Sequence, residues 1–435
     1  ANTDYVLSNN FGDTVLKNNT VITAAEGNVA FDVYYGMADV YKDGVSVTIE
    51  DGSVQVTGKI EYGMAPGADE TEFAAKANLN VPADYTGVAA PAGYEWVTTS
   101  DGPQKLQNTS YVAKVGDVAY PTLRVAVAAA QDGQTVTLLK NTTNVAAIGI
   151  TGKSVIVDLN GCEIGFASRQ HFNITNGGLE LTGKGRVYEE SPYFAPILLN
   201  GFTGEGQNNL TVGQNVVLEG WAGVFVDQTA GATNYNASVI VNGTIQSVKD
   251  NTGAAGHGVY VNGVVKNTEP GTYPVITLSD TSVVTSAGNG IYAAGYAEWN
   301  LSGQITGEEA GVEIRAGSMN VTGGKIVSNG TPTEVLPNGN GSTTRGAGLA
   351  VAQHTTRLPV RVHVSGGEIA GYTAFYQSDP QDGDPIKVSL SITGGDFNAI
   401  NGGKNAVYSE NITDFITGGT YSHSVNADYI AAANM

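Results

Sequence analysis

The residues of this chain that could do chemistry fall into two groups, paired carboxylates and a periodic aromatic row. A glycoside hydrolase needs two carboxyl groups on one face, about 5–9 Å apart. Asp227 with Glu219, and Glu308 or Glu309 with Glu313, are the candidate pairs. Each is equally well explained as solvated charge at a turn. The row comes from the phrase GVFVDQ at Gly223 and its copies GVYVNG at Gly258, GIYAAG at Gly290, GVEIRAG at Gly311, GLAVAQ at Gly348, AFYQSD at Ala374 and AVYSEN at Ala406. Side chains alternate along a strand. That alternation points Phe225, Tyr260, Tyr292, Glu313, Ala350, Tyr376 and Tyr408 outward. In stacked copies these residues would recur every ~4.8 Å on one face. An aromatic row of this kind can be a structural ladder, an interface between subunits or a platform for sugar rings. Arg315 is the one basic residue on that face, and one residue is not a lyase site.

Other chemistries find no residues to carry them. The chain has no GxSxG, no Cys–His arrangement and no Walker-type phosphate loop. It has no CxxC and no HExxH, and its five histidines are scattered, so no metal and no cofactor are expected. A single cysteine, Cys162, rules out an intramolecular disulfide framework. Its setting, VIVDLNGCEI, predicts a small buried hydrophobe in a strand region.

The elements that must position the row are short strands. A second phrase alternates with the first: NITNGGLEL at Asn173, VIVNGTI at Val239, NLSGQI at Asn300, NVTGGKI at Asn320, VHVSGGEI at Val362, LSITGGDF at Leu390 and FITGGTY at Phe415. The steps between successive copies run from 20 to 43 residues, as counted from Gly323 back to Gly303 and from Gly366 back to Gly323. Two short strands per step with variable insertions describe the coil of a solenoid. In GVEIRAG, Val312 and Ile314 would enter the interior while Glu313 and Arg315 face out. About eight coils follow Asn173. The longest insertion separates Val327 from Gly346; others lie at Lys249–Gly256, Val265–Pro274 and Ser378–Pro385. Such corner loops vary without disturbing the stack and are where function tends to sit.

Three segments are expected: 1–65, a β-rich N-terminal attachment module; 66–110, a linker or arm; and 111–435, the solenoid. In the first, VSVTIEDGSVQVTGKI (Val45–Ile60) predicts a hairpin turning at Asp51-Gly52, and FDVYYGMADVY before it reads as strand. In the second, four prolines break long elements, and ETEFAAKANL can form two helical turns. The third opens with a helix from Pro121 to Gln131, with Leu123, Val127 and Ala130 on its apolar face, as a cap on the solenoid's open end.

Composition agrees. The chain has 435 residues, 58 of them glycine, with 14% charged and 41% hydrophobic residues, which suits an all-β fold with a filled core. The net charge of −20 argues against nucleic acid and anionic membrane surfaces as partners. The sequence contains no apolar run long enough to span a membrane. Ala1 fits either a removed initiator Met or a cleaved leader.

The run VAKVGDVAYPTLRVAVAAAQDGQTVTLLKNTT, then SVIVDLNGCEI, the TGGKI-type phrases and FITGGTYSHSVNADYIA resemble right-handed parallel β-helix proteins of the pectate-lyase-like superfamily. They are similar in particular to β-helical surface proteins of gut bacteria and fibre proteins of their phages. The resemblance covers about Tyr111 to Ala432 and implies an all-β, right-handed parallel β-helix. It speaks to fold more than to activity, because the aspartate clusters and basic cleavage site of a pectate-type lyase are missing. The expected role is non-enzymatic: an elongated structural or adhesive solenoid projecting from a larger assembly. The foremost expectation is a phage virion fibre or head-decoration protein at the virion surface. It would be bound to a capsid or other virion protein by its N-terminal module, and would engage host-surface glycans. A homotrimer would hide the tyrosine row on its three-fold axis. The alternatives are a secreted or cell-surface bacterial adhesin and a polysaccharide depolymerase on the same fold.

Overall fold

The computed structural model describes residues 5–36, 43–83, 85–91, 93–339 and 341–431. The chain divides into two compact units, one of residues 1–130 with 136–140, the other of residues 131–135 with 141–435.

The second unit is a right-handed parallel β-helix. Each coil contributes three strands, not two, one to each of three parallel sheets. In the first full coil these are Thr142–Val145, Ile148–Thr151 and Ser154–Asp158. The NGG-type phrase spans a corner and so supplies parts of two strands. Ala237–Val241 and Thr244–Ser247, on either side of Asn242-Gly243, belong to different sheets. At such a corner Gly367 has φ +90°, and a Cβ there would sit 2.6 Å from the Gly323 carbonyl oxygen of the coil below. A side chain is excluded twice over, by conformation and by space.

The interior is built from aligned apolar columns. One runs Ile164, Val187, Leu218, Ile245, Val284, Ile305, Ile326, Ile369 and Phe397, in unbroken register. Another runs Ile197, Val224, Val259, Ile291, Val312, Leu349, Phe375 and Val407. All of these side chains are buried. Each contributes ~1.5–3 kcal/mol by leaving water, and each contacts the same kind of residue one coil away. Val312 and Ile314 point inward as expected, at 0% exposure.

The first unit also stacks parallel strands. Tyr5–Leu7, Val29–Tyr35 and Lys59–Met64 form one ladder; Gly12–Leu16, Val45–Ile49 and Ala77–Val81 a second; Val21–Thr23 and Gln55–Thr57 a third. The Val45–Ile60 hairpin does not form. Asp51-Gly52 is a corner, and the strands flanking it pair with different partners. Val45, Val47 and Ile49 already face the interior, and folding back on Gln55–Thr57 would strand them. These coils escaped the repeat because other residues serve their corners, with Asn18 and Asn19 holding φ values of 57° and 61°. Of the strand-rich FDVYYGMADVY stretch, Val29–Tyr35 is strand, and residues 37–41 lie outside the described residues.

Residues 66–110, expected as a linker or arm, contain the helix Glu70–Lys76 and three strands. Ala77–Val81, Gln104–Asn108 and Tyr94–Thr98 continue the sheet begun by Gly12–Leu16. The later helix spans Leu123–Ala129, with Thr122 rather than Pro121 at its start; the Thr122 hydroxyl accepts from the Val125 amide at 3.2 Å. Leu123, Ala126 and Val127 are its buried face. Cys162 is half-buried in the corner before Glu163–Phe166 rather than inside a strand. Among the described residues no helix is long and apolar enough to cross a membrane.

Candidate ligand-binding cleft

One of the three sheets carries the row. Leu198, Phe225, Tyr260, Tyr292, Glu313, Ala350, Tyr376 and Tyr408 are strict register partners, coil after coil. Phe225 and Tyr260 stack at 4.5 Å with 11° between their planes, and Tyr376 and Tyr408 stack at 5.2 Å with 16°. Tyr260 and Tyr292 follow at 5.4 Å and 32°. The row is therefore a ladder.

Two consequences bear on the platform for sugar rings, one of the three readings of the row. Stacked rings spend their faces on one another and present edges and hydroxyls outward. The row is also largely covered by the chain itself: Phe225 is 4% exposed, Tyr292 6%, Glu313 and Ala350 0%, whereas Tyr408 reaches 38%. At Phe225 the cover is Phe194, at 5.1 Å, and Trp221. Buried Glu189 pins that loop by accepting from the amides of Tyr193 at 2.8 Å and Phe194 at 2.7 Å.

Farther along, the cover is the longest insertion. It folds as an antiparallel hairpin, Glu334–Asn338 with Gly341–Arg345. Glu313 and Arg315 fasten it. Their side chains form an ion pair at 3.2 Å while 0% and 1% exposed. Glu313 also accepts from Thr343 Oγ1 at 2.7 Å, from the Thr344 amide at 3.1 Å and from Asn289 Nδ2 at 3.1 Å. Arg315 donates to the Ser342 carbonyl and to Gln381 Oε1, which reaches in from the Ser378–Pro385 insertion. Two buried charges are tolerable because each is paired and hydrogen-bonded. Both residues were expected to face outward, and they do, into a covered layer rather than into water.

Between the two covers lies a cleft of about 450 Å³. Tyr260 and Tyr292 form its floor, Asn262 and Lys266 one rim, Asn338 and His354 the others, with Arg315 at depth. Asn338 Nδ2 donates to Tyr292 Oη at 3.1 Å. Burial, with the Asp227 carboxylate nearby, pushes the Tyr260 phenol up to about 12. Burial and Glu313 push Tyr292 up as well. Both phenols are thus protonated donors at neutral pH. Beneath them His257 stacks on Tyr292 at 4.7 Å, and burial lowers it to about 4, so it is neutral.

The carboxylate pairs fare differently. Glu219 and Asp227 lie on different sheets. Glu219 pairs with Arg186 at 3.1 Å, and Asp227 accepts from Asn262 Nδ2 at 2.9 Å. Glu308 accepts from Asn329 at 2.9 Å at a corner. Burial pushes the Glu309 carboxyl up, with Arg345 opposing and Glu313 adding. Glu313 itself is committed to Arg315 and the hairpin. Among the described residues no group of three or more His, Cys, Asp or Glu could hold a metal. Asn262, Lys266, Asn338 and His354 were not singled out from the sequence. Lys266 and Asn338 do lie in the insertions at Val265–Pro274 and Val327–Gly346, whose length was the signal available.

In comparison with known proteins, no family model, curated protein or solved structure matches this chain.

Proposed function

We propose that this β-solenoid is a non-enzymatic adhesive protein that binds glycans in the cleft over Tyr260 and Tyr292. The observation that carries the reading is the cleft's chemistry: phenol hydroxyls, two amides and basic side chains converge on a concave volume about the size of one or two sugar rings. Hydroxyl-rich ligands are recognised by such convergent donors and acceptors. Glu313 and Asp227, the carboxylates that act on the two floor tyrosines, already have partners, which favours binding over cleavage. Display at the surface of a virion, or of a bacterial cell, is the setting proposed, with the first unit as the attachment part. The covering of the row within one chain removes the need for a three-fold axis to hide it, so the proposal is made for the single chain.

The test is titration calorimetry against a panel of oligosaccharides, with Tyr260→Phe alongside. Tyr260→Phe keeps the ladder and deletes a hydroxyl, so affinity should fall several-fold, a loss of ~1 kcal/mol, with little change in melting temperature. Absence of binding to any glycan, or full binding by the variant, would overturn the reading. Shortened products after overnight incubation would overturn its non-enzymatic part.

A further inference from the structure

We propose that the cleft selects a saccharide bearing an anionic substituent, a carboxylate or a sulfate. The inference rests on the glycan reading above and names the ligand class. Three basic side chains, Lys266, Arg315 and His354, line the cleft, and among its described lining residues there is no Asp or Glu. That lining contrasts with the chain as a whole, of net charge −20 with 21 Lys and Arg against 41 Asp and Glu. Lys266 is exposed at the rim and forms no ion pair among the described residues. Arg315 is 1% exposed, and its Nε–H is buried with no acceptor. A buried donor without a partner costs free energy, and here it belongs to a side chain lining the cleft.

Glu313 neutralises Arg315, so the charge left over at the cleft is that of Lys266. Glu313 sits outside the lining at 0% exposure, and its oxygens accept from Arg315, Asn289, Thr343 and Thr344. Asp227, also outside the lining, is engaged by Asn262. Burial lowers His354, as do the positive charges of Arg315 and Lys266, so it stands in the cleft as a neutral ring and not as a third cation. What the cleft offers a ligand is the Lys266 ammonium, the Asn262 amide and the Tyr260 phenol, with the Arg315 guanidinium buried in the wall. Such a set rewards an acceptor-rich anion with charge-assisted hydrogen bonds. An uncharged sugar would use only the hydroxyl-matched part of it.

The experiment uses the full chain and three matched probes: β-linked tetramers of glucose, of glucuronate and of glucose 6-sulfate. Binding is measured by calorimetry in low and high salt. At least one anionic tetramer is expected to bind about tenfold more tightly than the neutral one, the gap expected of one charge-assisted contact. The gap should close in Lys266→Gln, an exposed substitution that leaves the fold alone, and shrink in high salt. Which anion binds more tightly identifies the substituent. Equal affinity for all three, or an unchanged ratio in Lys266→Gln, overturns the inference while leaving glycan binding in place. No binding by any of the three, while other neutral glycans bind, also overturns it. No binding by any glycan removes both.

Discussion

At the scale of single residues, the protein uses burial to set protonation. His257 lies under the tyrosine ladder in contact with Trp221, Tyr260 and Tyr292. Burial holds it at about 4, against 6.5 for the free side chain. The unfolded chain therefore binds a proton that the folded one refuses between those two values. Stability from this residue is complete above pH 6.5 and falls as pH drops toward 4, by at most ~3 kcal/mol. Carboxylates also respond to acid, so the contribution must be isolated by substitution. In His257→Phe, which keeps an aromatic ring in the stack, the decline in melting temperature between pH 7 and pH 4.5 should be shallower than in the parent. Parallel curves for the two proteins would show that His257 does not carry the effect. Arg315, by contrast, lies in the interior as an ion pair, 3.2 Å from Glu313.

At the scale of elements, strands supply periodicity and insertions supply the site. The sheet bearing Phe225, Tyr260 and Tyr292 would be an apolar face in contact with water if the loops were short. The hairpin Glu334–Arg345 closes over it through bonds that converge on Glu313. Glu313→Ala leaves Arg315 buried without its counter-ion, a change that costs about 3–5 kcal/mol when such pairs are broken. The hairpin should loosen while the aligned Ile and Val columns keep the coils folded. The expected outcome is a protease cut between residues 334 and 345, weaker glycan binding and an unchanged far-ultraviolet β signal. A protein as resistant as the parent would mean that contacts other than Glu313 hold the hairpin. The insertions at 265–274 and 327–346 were legible as long loops. Their convergence on one cleft was not, because sequence spacing records how long a loop is and not which way it folds.

At the scale of the whole molecule, the chain contains stacked parallel coils in two units, each with its own interior. The first unit bears on how it can be cut. Removing residues 1–65 would take away Val45–Ile49 and leave Ala77–Val81 without its parallel partner. It would also expose the face formed with Leu79 and Phe73. That truncation should yield a protein whose residues 66–130 are rapidly proteolysed, while residues 141–431 resist. Equal resistance of both parts would contradict the sheet that joins residues 12–16, 45–49 and 77–81. The alternating phrases by themselves determined the solenoid, its coil count and the register of the row. Stacked parallel strands repeat one side-chain environment per coil, so local alternation of apolar residue and glycine is already the fold. Only the tertiary structure decided three things: that the first unit is also coiled, that the row is covered rather than open, and that Glu313 and Arg315 are a buried fastener rather than a surface pair. Each depends on which distant segment lands on a given face. That is set by long-range packing and charge pairing, which leave no periodic trace in the chain.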